Sequence, residues 1–341
     1  MSGGSGRRSP VPGRAARRAL PWGRLLEGWS VPVLGMALAA GLRLWALRWQ
    51  PFVTVDGTEY IRFAEALRAG QGFVSIFPPG YPLLVALAGL LVADRVLAAA
   101  VVSWACGVLL VVPVWWLARC ALGARRAALA ALAVALHPLL AVFSAVTMSE
   151  SAYLLALYGG LALAAAGRAG GAGLALGAAF ATRPEALVPA GALAAGGLVR
   201  ALRGRARPRA VALGVGGFLL VAVPCWLWFH ATLGEWTLTP KVGALRPVVT
   251  DWRLDEPRLR EGPVPRTDLL ATLARNGPEA LRQYPANVLV HGRSLLRLWP
   301  APLLLLSLVG LWRRRGLEAV PLLHLAALPL LGLSAQPRFV L

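Results

Sequence analysis

Residues 95–118 read R-V-L-A-A-A-V-V-S-W-A-C-G-V-L-L-V-V-P-V-W-W-L-A. Only the first of them is charged. A helix of that length at 1.5 Å per residue covers about 36 Å, enough to cross a hydrocarbon core of about 30 Å. No polar face interrupts the run, so it predicts a membrane span rather than an amphipathic surface helix.

The rest of the chain repeats this signal. Further apolar segments fall at 31–49, 127–146, 151–167, 171–182, 186–199, 210–230, 294–311 and 317–334. Of 341 residues 57% are hydrophobic and 15% charged, with a mean hydropathy of +0.63. A soluble domain of this length cannot hide so much apolar surface. The expected fold is an all-α integral membrane protein, a polytopic helical bundle of about nine spans.

The net charge of +20 comes almost wholly from arginine, Lys241 being the only lysine. These arginines stand in short clusters between apolar blocks, a pattern that orients a chain in a bilayer rather than one that binds nucleic acid. With nine spans starting inside, Arg119, Arg125 and Arg126, then Arg168, then Arg200 to Arg209, then Arg313 to Arg315 all fall in the cytoplasm. The basic, Gly- and Pro-rich residues 1–24 are predicted to be a disordered cytoplasmic tail. The run after them reads as a signal anchor, because no small-x-small site followed by a soluble domain is present. Residues 25–341 form one transmembrane domain, expected in the inner (plasma) membrane with the N-terminus cytoplasmic.

The run 81–93 is too short to cross and predicts an interfacial helix. Segments 171–182 and 186–199 are also short, and predict a hairpin that does not fully traverse the bilayer. Of the fifteen acids, only Glu27 and Glu318 then face the inner side. The others gather in outer segments, chiefly 50–94 and 231–293, although acids contribute little to orientation. Cys106, Cys120 and Cys225 lie in or beside apolar segments without metal-ligand spacing. Walker A, H-E-x-x-H and G-x-S-x-G patterns are absent.

The first outer segment opens T-V-D-G-T-E-Y-I-R-F-A-E-A-L, residues 54–67. Tyr60, Phe63, Ala64 and Leu67 recur at helical spacing, which predicts a membrane-surface helix from Asp56 to Gly70. Asp56 has two readings. As an N-cap with Glu59 three residues on it completes a capping box worth about 1 kcal/mol; as an acid facing the exterior it is a catalytic carboxylate. Spacing alone favours the cap. The loop continues Q-G-F-V-S-I-F-P-P-G-Y-P-L-L, whose prolines stiffen it beyond the need of a linker.

The run D-G-T-E-Y-I-R-F-A-E-A-L-R-A-G-Q-G-F, followed by P-P-G-Y-P-L-L-V-A-L, resembles the first outer loop of GT-C membrane glycosyltransferases. That group includes protein O-mannosyltransferases, the lipid A aminoarabinose transferase and related family 39-like proteins. R-R-A-A-L-A-A-L-A-V-A-L-H-P-L-L, T-M-S-E-S-A-Y-L-L, L-G-A-A-F-A-T-R-P-E-A-L and Q-P-R-F-V-L are similar to later family motifs, in the same order, from about residue 30 onward. The resemblance implies a GT-C-like fold and transfer of a sugar from a polyprenyl-phosphate donor to a glycan, lipid or protein acceptor, with membrane lipids as further partners. It places the general base at Asp56, with Glu59 and Glu150 as further acids. Tyr60, Tyr81, Arg183, Lys241 and Arg338 become candidates for substrate or lipid phosphate.

Gly57 stands where the family often has a second acid, so a divalent metal is a possible cofactor without an assigned ligand set. The chain ends shortly after Arg338, where such proteins continue into further spans, so a shortened member is an expectation of the same resemblance. Three residues also have simpler readings. Glu150 suits the positive end of a helix whatever the function, Arg183 has a natural ion-pair partner in Glu185, and His137 before Pro138 reads as a satisfied buried histidine. The tryptophans at 45, 49, 226, 228, 236 and 299 fit an interfacial belt, and Trp236 is placed to stack on a sugar. The alternative class is a transporter or lipid flippase, which would set its ionisable groups at mid-bilayer in broken helices.

Overall fold

Each long apolar run in the described region forms helix, as backbone in hydrocarbon must. The computed structural model describes residues 28–49, 53–234 and 236–240, with isolated residues between 278 and 293. No strand occurs among the described residues. The tail 1–24, segments 294–311 and 317–334, Lys241, Arg338 and most of the second long loop lie outside them.

Helix α1, Ser30–Leu47, is followed by two short helices, α2 Val55–Arg68 and α3 Gly80–Ala88. The run quoted at the outset becomes α4, Arg95–Leu109, and α5, Val111–Leu122, which read together as one span. Next come α6, Ala124–Leu136, and α7, Pro138–Ala145. Then α8, Glu150–Ala165, and α9, Ala169–Thr182, form a hairpin that turns at Gly167, whose φ of 74° only glycine adopts easily. A short 3₁₀ turn, Pro184–Ala186, leads into α10, Leu187–Leu202, and α11 is Pro208–Leu233.

Four of these helices are long and apolar enough to cross a membrane, or five if the bent pair α6–α7 is one span. Two expectations change. The segment expected to be short, 186–199, lies in a longer helical stretch, Pro184–Leu202, whose length and composition suffice to cross. The short apolar helices are instead α8 and α9. The run 127–146 is not one straight helix either: it bends by 50° at His137–Pro138. Pro138 carries no N–H and clashes with the preceding turn, so the helix stops before it and a new one starts.

The two short helices α2 and α3 form where the sequence placed them. In α2, Tyr60, Phe63 and Ala64 are buried and Gly70 ends the helix at φ 66°. There Gln71 N–H reaches back to the Ala66 carbonyl at 2.8 Å, which satisfies one of the orphaned carbonyls of the last turn.

Helix α9 lies between α8 and α11. Its contact with α11 is a glycine seam. A Cβ on Gly173 would strike the Gly214 carbonyl, and one on Gly217 would strike the Gly170 carbonyl. Backbones approach this closely only where side chains are missing, and apolar helices in lipid associate through such small residues.

Candidate functional site

The site is built where the two short helices meet the ends of α8 and α9. Helix α2 begins with Thr54, whose Oγ1 accepts the Gly57 N–H at 2.9 Å. Thr54 is therefore the N-cap, and the capping box proposed for Asp56 and Glu59 is not formed. A hydroxyl in extended backbone, here φ −68° and ψ 161°, reaches the third amide of the helix. Asp56 stands one residue inside, in the first turn, where the helix dipole favours a carboxylate. It is partly buried. Glu59 points elsewhere: its Oε1 accepts from Ser75 Oγ at 3.2 Å, tying α2 to the proline loop.

Two glycines bring the motifs together. A Cβ on Gly57 would collide with the Oγ1 and carbonyl of Thr147, and one on Gly80 with the Ala181 carbonyl. The D-G-T-E-Y stretch thus packs directly on V-T-M-S-E, and the P-P-G-Y-P stretch on A-T-R-P-E. Gly57 is the residue that permits the first of these approaches.

Tyrosines extend the junction. Tyr60 OH lies 3.0 Å from Ser149 Oγ, and Tyr81 OH lies 2.7 Å from Ser103 Oγ. Ser103 in turn donates to the Met148 carbonyl at 3.2 Å. The Tyr60 and Tyr81 rings meet edge to face at 4.9 Å. Burial pushes both phenols above their ordinary range, so they act as neutral hydrogen-bonding groups.

Arg183 occupies the C-cap of α9, beside Glu150 in the first turn of α8. Its Nη1 is 2.9 Å from Glu150 Oε1 and its Nη2 is 3.4 Å from Glu185 Oε1. Its guanidinium also faces the Tyr153 ring at 5.8 Å. Glu150, Arg183 and Glu185 are 2%, 6% and 7% exposed, so this is an ion cluster inside the protein. Burial disfavours the guanidinium charge, but Glu185 and Glu150 outweigh it and hold the group above its ordinary value.

The pairing read from sequence between Arg183 and Glu185 is present, and Glu150 joins it. The 2.9 Å contact to Glu150 is ionic and falls short of hydrogen-bond geometry. Glu150 Oε2, Thr147 Oγ1 and Tyr153 OH find no hydrogen-bond partner among the described residues. Buried polar atoms ordinarily have one, so three orphans on one stretch mark a place able to receive a polar group.

Of the sequence-predicted residues, Asp56, Tyr60, Tyr81, Glu150 and Arg183 converge, whereas Glu59 does not enter the cluster. Trp236 stacks on His230, with ring centroids 4.2 Å apart and nearly parallel. The His137 ring is only half-buried, and its Nδ1 accepts the Leu140 N–H at 3.4 Å as the cap of α7. Among the described residues no group of three His, Cys, Asp or Glu side chains is placed to hold a metal ion.

Sequence reading passed over Thr54, Thr147 and Arg43. The signals were present: a threonine two residues before Asp56, a polar T-M-S-E stretch between apolar runs, and an arginine well inside the run 31–49, five residues before Arg48 near its end. An ionisable residue within a span is by default a functional candidate. Arg43 is completely buried.

The chain matches no protein-family model, no curated protein and no solved structure. What fold and composition define is the class: a membrane protein, all-helical among the described residues.

Proposed function

We propose that the protein is a GT-C-like membrane glycosyltransferase. It moves a sugar from a polyprenyl-phosphate donor to an acceptor hydroxyl, and Asp56 is its general base. One observation carries the reading. Thr54 caps α2, so Asp56 is not needed as the cap, and Gly57 seats it against the stretch that bears Thr147 and Glu150. The resemblance of the D-G-T-E-Y, P-P-G-Y-P, T-M-S-E and T-R-P-E motifs to that family supports it further, since these four separated stretches form one junction.

In the reaction the Asp56 carboxylate takes the proton of the acceptor hydroxyl as its oxygen bonds to the anomeric carbon. The bond from that carbon to the donor phosphate oxygen breaks on the opposite face, with inversion, and polyprenyl phosphate leaves. Glu150 and Thr147 offer polar atoms to sugar hydroxyls. Arg183 holds Glu150 in place, and Lys241 and Arg338 are the cations assigned to the leaving phosphate. The chemistry takes place at the extracytoplasmic face, with the N-terminus in the cytoplasm and the protein in the plasma membrane.

The transporter or flippase reading has one observation in its favour: Arg43 is buried in a span beside the broken pair α6–α7. A single experiment separates the two. The protein in nanodiscs is given polyprenyl-phosphate sugars with candidate acceptors, and release of polyprenyl phosphate is followed. Asp56→Asn should remove turnover while leaving abundance unchanged; undiminished release from the variant would remove Asp56 from the mechanism. Transbilayer movement of a labelled lipid in proteoliposomes, insensitive to Asp56→Asn and unaccompanied by sugar release, would establish the alternative.

A further inference from the structure

Arg43 has a surrounding unlike that of any other arginine described. It lies in the membrane-spanning helix α1, and the contacts of its guanidinium are neutral oxygens. Nε donates to Ser144 Oγ at 3.1 Å. Nη1 donates to the Ala135 carbonyl at 3.0 Å and, within its own helix, to the Ala39 carbonyl at 3.3 Å. Nη2 donates to the Val134 carbonyl at 3.3 Å.

Two of these acceptors have a definite origin. Helix α6 stops at Leu136 because Pro138 cannot continue it, so the carbonyls of its last turn lose their intrahelical donors. In hydrocarbon such groups are costly to leave unsatisfied, and the negative end of the helix dipole favours a cation. Arg43 supplies both needs from the neighbouring helix.

The Ser144 contact carries the effect onward. Ser144 donates to the Leu140 carbonyl at 2.6 Å, accepts from Arg43, and lies 3.2 Å from Ser151 Oγ. Ser151 follows Glu150 directly in the first turn of α8. Helix α4 closes the node from a third side: a Cβ on Gly107 would collide with Ser144 Oγ and lie 3.0 Å from Arg43 Nε.

We infer that Arg43 is a positioning residue of the candidate site: by capping the broken end of α6 and holding Ser144 against Ser151, it fixes the angle at which 137–151 presents Thr147 and Glu150 to Asp56. The functional part of this inference rests on the transferase reading; the geometric part does not.

The test uses the full chain in nanodiscs, with Cys106, Cys120 and Cys225 replaced by alanine. Spin labels are placed at Leu129 and Val142, exposed positions on either side of the bend, and a control pair at Leu174 and Leu220 on α9 and α11. Pulsed dipolar distances are compared for the parent, Arg43→Met and Arg43→Lys. Arg43→Met should shift or broaden the Leu129–Val142 distance beyond the parent's width and leave the control pair unchanged. Arg43→Lys should be intermediate, because one ammonium on a shorter stem cannot reach both carbonyls and Ser144.

In the transfer assay Arg43→Met should lower kcat at least about tenfold with KM within about twofold, the pattern expected when alignment rather than binding is lost. An unchanged bend distance in Arg43→Met overturns the inference whatever the activity. Movement of the control pair overturns it too, since Arg43 would then be needed for the whole fold. A shifted bend with kcat unchanged overturns the link to the site. If the parent transfers no sugar, the transferase reading fails while the distances still decide the geometric claim.

Discussion

At the residue scale, Thr54 and Asp56 divide two jobs that a sequence reader assigns to one side chain. Removing the cap with Thr54→Ala should cost about 1 kcal/mol and increase amide exchange over 55–60. Asp56→Ala removes a favourable dipole interaction of about 0.3–1 kcal/mol, and Asp56→Asn removes the same charge. Turnover should follow the opposite order, with Asp56→Asn losing about 10²–10⁴-fold and Thr54→Ala far less. Equal losses from the two variants would mean that Asp56 acts only through helix stability.

The buried ions obey a different rule. Arg183→Met strands two carboxyl groups inside the protein and should destabilise by about 3–5 kcal/mol, read as a large drop in thermal midpoint. Glu150→Gln leaves Arg183 with Glu185, so its midpoint should fall less. A smaller effect for Arg183→Met than for Glu150→Gln would show that the cluster is not held together by its guanidinium.

At the element scale, glycines set which helices touch. Gly173→Val forces α9 and α11 apart where their backbones nearly meet, and overpacking of this kind costs about 1–3 kcal/mol or more. Detergent-solubilised protein should show it as a lower thermal midpoint, and Gly216→Val, on the partner helix α11 with nothing near its Cβ position, is the control that should not. Gly57→Ala meets Thr147 instead, at the edge of the bundle. It should displace α2 and reduce turnover more than it reduces stability. The break between α6 and α7 is the other device at this scale. Pro138 makes it, the His137 ring caps its new helix, and Arg43 covers the carbonyls it exposes.

At the scale of the whole molecule, the arrangement of spans predicts sidedness. Between Leu91 and Gly204 the chain runs through the α4–α5 span, the bent α6–α7 pair, α8, α9 and α10. Whether or not α8 and α9 each cross fully, they form a hairpin and leave the parity unchanged, so with the bent α6–α7 pair counted as one span, three or five crossings separate the two positions. Single cysteines at Leu91 and at Leu202, both highly exposed, should therefore react with an impermeant maleimide from opposite sides of sealed vesicles. Labelling of both from one side would mean that one of these elements is not a span. Labelling of Leu91 from the cytosol would also end the proposal that Asp56 works on an extracytoplasmic substrate.

The apolar runs by themselves determined that the described chain is helical and built to cross a membrane, because backbone in hydrocarbon must satisfy its own hydrogen bonds and few patterns allow it. They also placed α2 to within a residue or two, since helical periodicity and a stop glycine are local signals. The bend at Pro138 and the cap at Thr54 are local signals too, although the reading passed over them, whereas the length of α10 was decided by the fold. So was the meeting of Asp56 with Thr147, and of Glu150 with Arg183 and Glu185. A buried polar group takes its partner from whichever helix packs beside it, here Tyr60 from Ser149 and Arg43 from Ser144, and no spacing along the chain encodes which helix that will be.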